Sequence, residues 1–205
     1  MPNKAFLGTK VKTGEVDPPF KYEWISYGEA VKIAKKLAAG MMKLGLVPVV
    51  DDYEKSGMSG RFLGLQAKNR AEWYLCELAG FYSGATTVAL MDTQSAVTAA
   101  FIIDQTELTT LALSGERVEA MIKLKEAHKD GLMKRLSNIV LFDPVDTFLQ
   151  ELAAKNGIRL VSYDDVLKAG DVGNTQLNRC KTEDIFCLCY TSGTTGVPKG
   201  VKLSH

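Results

Sequence analysis

Apolar side chains recur at helical spacing from residue 31 to residue 42, and further along the chain short apolar runs alternate with similar helical patterns. Strand-like runs and helix-like faces therefore follow one another in turn. The predicted strands cover 61–67, 86–90, 108–113, 138–142, 158–161 and 184–190. The predicted helices cover 26–45, 69–82, 94–105, 116–128, a short stretch after residue 144, and 163–168. This alternation predicts an α/β fold with a mainly parallel sheet and helices on both of its faces.

Two helix starts carry the signature of a capping box, in which a polar side chain is followed three residues later by glutamate. The pairs are Ser26 with Glu29 and Asn69 with Glu72. Before the first of them, residues 1–25 are expected to be extended and loop-like, because they contain glycine and proline residues that interrupt regular structure. The chain is therefore divided into an extended segment, 1–25, and a larger unit, 26–205.

Composition and charge exclude several classes of protein. At 205 residues, 46% apolar and 24% charged, the chain has the make-up of an ordinary globular protein. The 25 basic and 24 acidic residues leave a net charge of +1. This balance provides no overall electrostatic footprint for nucleic acid or for an anionic membrane. We therefore expect no nucleic-acid partner.

The four cysteines, at positions 76, 180, 187 and 189, lack the spacing of a zinc site, a redox pair or a disulfide framework. Cys187 and Cys189 are expected to share the buried face of a strand. A reducing, cytoplasmic or other intracellular compartment is the simplest expectation. No apolar run approaches the roughly 20 residues that a membrane span requires, so no transmembrane segment is expected.

The strongest chemical signal is the run from Tyr190 to Gly200, which reads YTSGTTGVPKG. It follows an apolar strand and combines three glycines, four serine or threonine hydroxyls and one lysine. Glycine lets backbone N–H groups approach an anion, hydroxyls donate hydrogen bonds, and lysine supplies a positive charge. The run is not a Walker P-loop, because Lys199 precedes Gly200 and no hydroxyl residue follows the lysine directly. The pattern predicts a loop that wraps phosphates at the carboxyl edge of the sheet.

This run resembles the phosphate loop of the adenylate-forming superfamily, and three upstream segments resemble the long-chain acyl-CoA synthetases in particular. The segments are 22–27 (YEWISY), 69–73 (NRAEW) and 88–93 (VALMDT). Ala71, Ala89 and Met91 depart from the proline, proline and tyrosine that are usual there. The resemblance covers the chain from about Phe6 to His205.

The resemblance implies a two-step ligase reaction. A fatty acid carboxylate attacks the α-phosphate of ATP bound with Mg²⁺, which releases pyrophosphate, and the thiolate of coenzyme A then displaces AMP. It assigns phosphate binding to seven residues and implies no catalytic residue and no metal ligand within this chain. Those seven are Thr191, Ser192, Gly193, Thr194, Thr195, Gly196 and Lys199. It also implies an N-terminal part of the adenylate-forming fold that ends at the phosphate loop, truncated before the family's C-terminal domain with its catalytic lysine.

Two functional hypotheses follow. In the first, the chain is the N-terminal part of a long-chain fatty acid–CoA ligase, inactive by itself. In the second, it is a truncated, non-catalytic relative that serves as a structural or interaction subunit, with a protein partner covering the truncated face. The loop alone would also permit a coumarate ligase, a luciferase or a peptide-synthetase module. The resemblance further allows peripheral association with an organelle membrane.

Overall fold

The chain forms a seven-stranded sheet between two layers of helices, preceded by a separate two-stranded hairpin. The computed structural model describes residues 1–12, 14, 20–51, 57–128, 131–178, 180–191 and 197–205. The strands are β1 Ala5–Lys12, β2 Phe20–Ser26, β3 Arg61–Gln66, β4 Ala85–Leu90, β5 Thr110–Leu113, β6 Asn138–Leu141, β7 Arg159–Ser162, β8 Ile185–Thr191 and β9 Lys199–Ser204. The helices are α1 Tyr27–Lys43, α2 Ala71–Ser83, α3 Ala96–Gln105, α4 Gly115–Ala127, α5 Thr147–Lys155 and α6 Tyr163–Ala169.

The order of strands in the main sheet is β7-β6-β5-β3-β4-β8-β9. Strands β3 to β8 are parallel, and only β9 runs antiparallel to its neighbour β8. The predicted α/β class with a mainly parallel sheet is therefore confirmed. Because the parallel strands point the same way, their carboxyl ends meet along one edge, where ligands of such sheets bind.

The helices form two layers because alternate residues of each strand face opposite sides of the sheet. In β5, Leu111 and Leu113 join a core with α3, α4 and α5, whereas Ala112 joins a core with α1, α2 and α6. Strand β6 divides in the same way, with Ile139 and Val140 on opposite sides. Both faces of the central strands are buried, which explains why the strands are short, continuous apolar runs.

One of the two predicted capping boxes is present. The Ser26 hydroxyl accepts the Glu29 backbone N–H, and the Glu29 carboxylate accepts the Ser26 backbone N–H at 2.8 Å. The second prediction is wrong, because α2 is capped at Arg70 without any side-chain cap bond. There Glu72 binds the Arg70 guanidinium instead of reaching back to a cap. An ion pair has replaced the capping interaction.

The extended N-terminal segment forms the antiparallel hairpin β1–β2, which the apolar pattern did not reveal. Its residues are exposed or half-buried in no regular alternation, and none of them is fully buried. The division of the chain at residue 25 stays a prediction. Within the described ranges, no helix combines the length and the apolar character needed to cross a bilayer.

Candidate functional site

The predicted phosphate loop connects the two strands of a hairpin, β8–β9, at the end of the main sheet. Strand β8 joins β4 in parallel, and β9 returns antiparallel so that Thr191 pairs with Lys199. The loop is therefore shorter than predicted, because Thr191, Lys199 and Gly200 belong to paired strands. The predicted site residues Ser192, Gly193, Thr194, Thr195 and Gly196 lie outside the described residues.

Tyr190 fixes this hairpin to helix α3. Its hydroxyl donates a hydrogen bond to Gln105 Oε1 at 2.7 Å. Its ring covers Gly200 so closely that a Cβ atom there would lie 3.0 Å from the ring. Burial raises the pKa of Tyr190 to about 12, so the hydroxyl keeps its proton at neutral pH. The sequence motif included Tyr190 but gave no sign of this anchoring role, because Gln105 is 85 positions away.

A cleft of about 1220 Å³ runs along the carboxyl edge of the sheet beside this hairpin. Its walls come from the segments that follow β3 and β4, from the ends of β8 and β5, and from strand β1. Residues of these segments that line it include Lys68, Asn69, Asp92, Thr93, Ser114, Cys189, Tyr190 and Lys10. The cleft is a large concave surface with polar groups at the position expected of a ligand site in a parallel sheet.

An ion-pair cluster closes one side of the cleft, and we call it the Arg70 clamp. The Arg70 guanidinium donates to both carboxylate oxygens of Glu72, at 2.9 and 3.0 Å, and to Asp143 Oδ1 at 2.9 Å. It also donates to the Phe142 carbonyl at 3.2 Å. Asp143 Oδ2 in turn accepts the Gly115 backbone N–H at 2.7 Å, at the start of α4. The clamp ties the segments after β3, β5 and β6 together.

The charged form is favoured at each member of the clamp. Hydrogen bonds to Glu72 raise the pKa of Arg70, in spite of its partial burial. Burial by itself would raise the pKa of both Glu72 and Asp143, but their hydrogen bonds outweigh it and hold both pKa values below the ordinary range. For Asp143 the Gly115 N–H and Arg70 both contribute. All three groups therefore remain ionised near neutral pH, and the one cation offsets part of the charge of the two carboxylates.

The other charged groups along this edge are more exposed. Lys68 pairs with Glu116 at 3.2 Å, but both side chains are more than half exposed. Lys199 is exposed, and no acidic side chain in the described ranges forms an ion pair with it. Its ammonium and the Thr191 hydroxyl therefore lie at the same end of the hairpin, where both are open to an anion.

The expectation for the two nearby cysteines is met only in part. Cys187 is buried, whereas Cys189 is exposed and lines the cleft. Both cysteines lie on the same face of β8, and this face becomes exposed to solvent towards the carboxyl end of the strand. Among the described residues, no three histidine, cysteine, aspartate or glutamate side chains are grouped so that they could hold a metal ion.

The donor groups at the hairpin suit phosphate oxygens. A hydroxyl and an ammonium donate hydrogen bonds, and phosphate oxygens accept them, so Thr191 and Lys199 fit the phosphate groups of a nucleotide. The Lys199 ammonium has no lone pair to offer a metal ion, which needs acceptor ligands. Together with the parallel sheet and its open edge, this hairpin defines the class of the protein as a nucleotide-binding α/β protein.

Comparison with known proteins gives the particular family. Residues 9–205 match the family described as "AMP-binding enzyme". The chain belongs to this family.

Curated relatives and solved structures agree with the family. Long-chain-fatty-acid–CoA ligase 5 of Rattus norvegicus is 30% identical over 92% of this chain, and Long chain acyl-CoA synthetase 2 of Arabidopsis thaliana is 29% identical over all of it. The matches span 26% and 28% of those proteins, so the chain spans about a quarter of their length. The adenylation domain of a carboxylate reductase from Mycobacterium chelonae has the same fold, with a TM-score of 0.72 and 19% identity over 97% of this chain and 31% of that one. The resemblance to long-chain acyl-CoA synthetases is confirmed.

Proposed function

We propose that this chain provides the ATP-phosphate-binding part of an ATP-dependent ligase that joins a long-chain fatty acid to coenzyme A. The observation that carries the proposal is the β8–β9 hairpin. It presents the Thr191 hydroxyl and the Lys199 ammonium together at the carboxyl edge of the parallel sheet. Membership of the AMP-binding enzyme family supports a nucleotide as the ligand of this hairpin.

In this proposal the chain's own residues bind and orient the triphosphate. Thr191 donates a hydrogen bond to a phosphate oxygen, and Lys199 neutralises negative charge on the departing pyrophosphate. The loop residues 192–196 complete the set of phosphate donors. Mg²⁺, when present with ATP, supplies further charge neutralisation, which the ammonium of Lys199 complements. The fatty acid and coenzyme A are the proposed partners of the whole enzyme, a choice supported by the names of its sequence relatives.

The test is exchange of labelled pyrophosphate into ATP, which reports adenylate formation before coenzyme A takes part. Full-length protein is assayed with long-chain fatty acids, first unmodified and then as Lys199→Ala. We expect exchange that depends on the fatty acid and falls about 100-fold in the variant, the typical loss on removing one preorganised charge-stabilising donor. The midpoint of thermal unfolding should not change, because Lys199 is exposed and has no described ion-pair partner.

The matched control is Lys202→Ala, on the same strand and also exposed. Lys202 lies opposite Leu188, away from the loop, so its removal should leave exchange unchanged. Equal losses in the two variants would show that general surface charge matters and not the position of Lys199. Unmodified protein that catalyses no exchange with any carboxylic acid would contradict the proposal.

A second candidate, a non-catalytic interaction subunit, is favoured by the surface of β9. All six of its residues are exposed, and Val201 and Leu203 leave 44% and 43% of their surface open. An edge strand with open apolar side chains is suited to being covered by another segment. In the ligase proposal that segment belongs to the same polypeptide, and in the second candidate it belongs to a partner protein.

The intact mass of the native protein distinguishes these two candidates. A mass near the 22.4 kDa of this chain would favour the interaction subunit, and a stable complex should then be recovered with a partner on β9. A mass several times larger would favour the ligase. Leu203→Lys then serves as the second measurement, since it should release a separate partner but only lower the stability of a single long chain.

A further inference from the structure

A glutamine ends the otherwise apolar sequence of the central strand β3. The four residues before Gln66 are buried, and Gln66 itself, at the carboxyl end of the strand, is only 1% exposed. The register places it between Leu90 of β4 and Leu113 of β5. A buried amide costs free energy unless both its donor and its acceptor atom are hydrogen-bonded. The partners of these two atoms therefore decide whether Gln66 stabilises the strand.

Among the described residues, only one of the polar side-chain atoms of Gln66 has a partner. Its Nε2 donates a hydrogen bond of 3.1 Å to the carbonyl of Met91, just after β4. Its Oε1 is buried and accepts no hydrogen bond from a described residue. Because an orphaned acceptor destabilises a core, an apolar residue of the same size would suit the strand better. The segment that Gln66 binds therefore explains this residue better than the stability of β3 does.

The Met91 carbonyl belongs to a turn between β4 and α3, which we call the Met91–Gln94 turn. The backbone N–H of Gln94 donates to the same carbonyl at 3.2 Å, so this oxygen accepts from two donors. Arg117 of α4 donates to the Gln94 carbonyl at 3.3 Å. The turn is thus held by β3 and by α4, and Gln66 is its contact with the sheet.

This turn forms the wall of the cleft beside the β8–β9 hairpin. Its residues 91–93 line the cleft. Because β4 and β8 pair in parallel as far as Ala89 and Cys189, the turn begins where β8 approaches Thr191. The turn and the hairpin are therefore neighbours at the carboxyl edge of the sheet.

The turn also brings a carboxylate into the cleft. The acidic side chains that line the cleft are Glu72, Asp92, Glu116 and Asp143. All but Asp92 form ion pairs, with Arg70 or with Lys68, whereas Asp92 forms none within the described ranges. Lys199, on the neighbouring hairpin, likewise has no acidic partner in the part of the chain that the structure describes. Two opposite charges at this edge of the sheet therefore remain apart.

We propose that Gln66 is a positioning residue for ATP, because its bond to the Met91 carbonyl fixes the turn so that Asp92 stays clear of Lys199. This inference rests on the proposed function, in which the Lys199 ammonium neutralises phosphate charge. If the turn moved towards the hairpin, the Asp92 carboxylate would pair with that ammonium and repel the phosphates. Both effects weaken the binding of ATP, so Gln66 acts on the affinity for the nucleotide without touching it.

The experiment removes the amide of Gln66 without changing the length of its side chain. In the full-length protein, Gln66→Met keeps an unbranched side chain of similar volume but loses the donor to Met91. We expect KM for ATP in pyrophosphate exchange, and the dissociation constant from calorimetric titration with ATP, to rise about tenfold, the usual effect of one lost hydrogen bond. The value of kcat should stay within about twofold. Because the orphaned Oε1 disappears as well, the midpoint of thermal unfolding should be equal or higher.

A second substitution tests whether the effect passes through Asp92. Asp92→Asn in the Gln66→Met protein should restore the affinity for ATP to within about twofold of the unmodified value, because an amide neither pairs with Lys199 nor repels phosphate. Gln66→Asn is one methylene shorter, so its amide does not reach the Met91 carbonyl. It should also weaken ATP binding about tenfold, and it provides the same test if Gln66→Met does not fold.

The matched control is Gln94→Met, the same change within the turn itself. The side-chain Oε1 of Gln94 is also buried without a donor among the described residues. The bond from Gln94 to Met91 comes from the backbone, however, and survives the substitution. This variant should bind ATP as tightly as the unmodified protein.

The outcomes separate this inference from the proposed function. If both Gln66 variants bind ATP as tightly as the control, the inference is wrong and the ligase proposal stands. A lower unfolding midpoint with unchanged KM for ATP would show that Gln66 supports only the fold. Failure of Asp92→Asn to restore binding would also overturn the inference. Unmodified protein that binds no ATP would overturn the inference and the proposed function together.

Discussion

Charged side chains at the Arg70 clamp are paired with one another, whereas the charged side chain at the β8–β9 hairpin is not. At the Arg70 clamp, one guanidinium binds two carboxylates, and side-chain exposures of 25% to 40% show that water is partly excluded. At the β8–β9 hairpin, the Lys199 ammonium is exposed and has no acidic partner among the described residues. Charges that satisfy one another hold the protein together, and a charge without a partner is available to a ligand. Whether a charged residue beside a cleft stabilises the fold or can bind a ligand therefore depends on whether it has an ion-pair partner.

The sharpest way to break this comparison is Arg70→Gln. It should lower the free energy of unfolding by about 2 kcal/mol, between the values for exposed and buried pairs, because two carboxylates lose their cation. Thermal and urea unfolding followed by circular dichroism would measure the loss. If Arg70→Gln left stability unchanged while Lys199→Ala lowered it, the roles assigned to the two ends would be reversed.

The clamp also predicts how this loss depends on pH. The pKa values of Glu72 and Asp143 are lowered in the folded protein, so their contribution is complete above the ordinary carboxyl pKa of about 4. It disappears as the pH falls through the lowered values. The difference in unfolding free energy between Arg70→Gln and the unmodified protein should accordingly be largest near neutral pH and shrink below about pH 4. A difference that stayed constant down to strongly acidic pH would show that Arg70 acts through packing and not through charge.

A smaller effect is expected at the hairpin itself, from Tyr190→Phe. Removing the hydroxyl leaves Gln105 Oε1 without the 2.7 Å bond and should cost about 1 kcal/mol. Tyr22→Phe is the matched control, because Tyr22 is more than half exposed and should change stability very little. If the two variants were equally stable, α3 would not hold the hairpin through this bond.

The smallest effect is expected for Lys68→Gln, which removes the exposed pair with Glu116. Pairs of this kind contribute less than about 0.5 kcal/mol, and salt screens them further. Urea unfolding at low and high ionic strength would show a small difference that disappears with salt. A loss as large as that of Arg70→Gln would mean that proximity to the cleft, and not the degree of burial, sets the strength of these ion pairs.

Local signals in the sequence predicted much of the fold, and long-range partners explain most of what they missed. The box at Ser26 could be predicted because both of its members lie within four residues. The box at Asn69 failed because Arg70, which holds Glu72, also binds Asp143, and that contact spans 73 positions. The hairpin β1–β2 was missed because its aromatic residues face outward, so no alternation of buried and exposed positions marks it as a strand pair.

The candidate site was found from composition, although its geometry was not. Glycines, hydroxyls and a lysine following an apolar strand located the hairpin at the edge of the sheet. The pairing of Thr191 with Lys199 depends on β9, whose exposed residues carry no core-facing pattern. The phosphate-binding roles of Thr191, Lys199 and residues 192–196 stay predictions.

The place of β8 in the sheet has a consequence for how the protein is made. Strand β8 joins β4 across a long stretch of chain, and the hydrogen bond from the Thr86 hydroxyl to the Ile185 carbonyl spans 99 positions. During synthesis, β4 can pair with β3 as soon as both have emerged, but its other edge has no neighbour until residues 185–191 follow. Contacts between such distant segments form slowly, because a long loop must close first. The nascent chain therefore carries an open strand edge at β4 while the residues between β4 and β8 are being translated, and the β8–β9 hairpin joins the sheet after the strands that precede it in the chain.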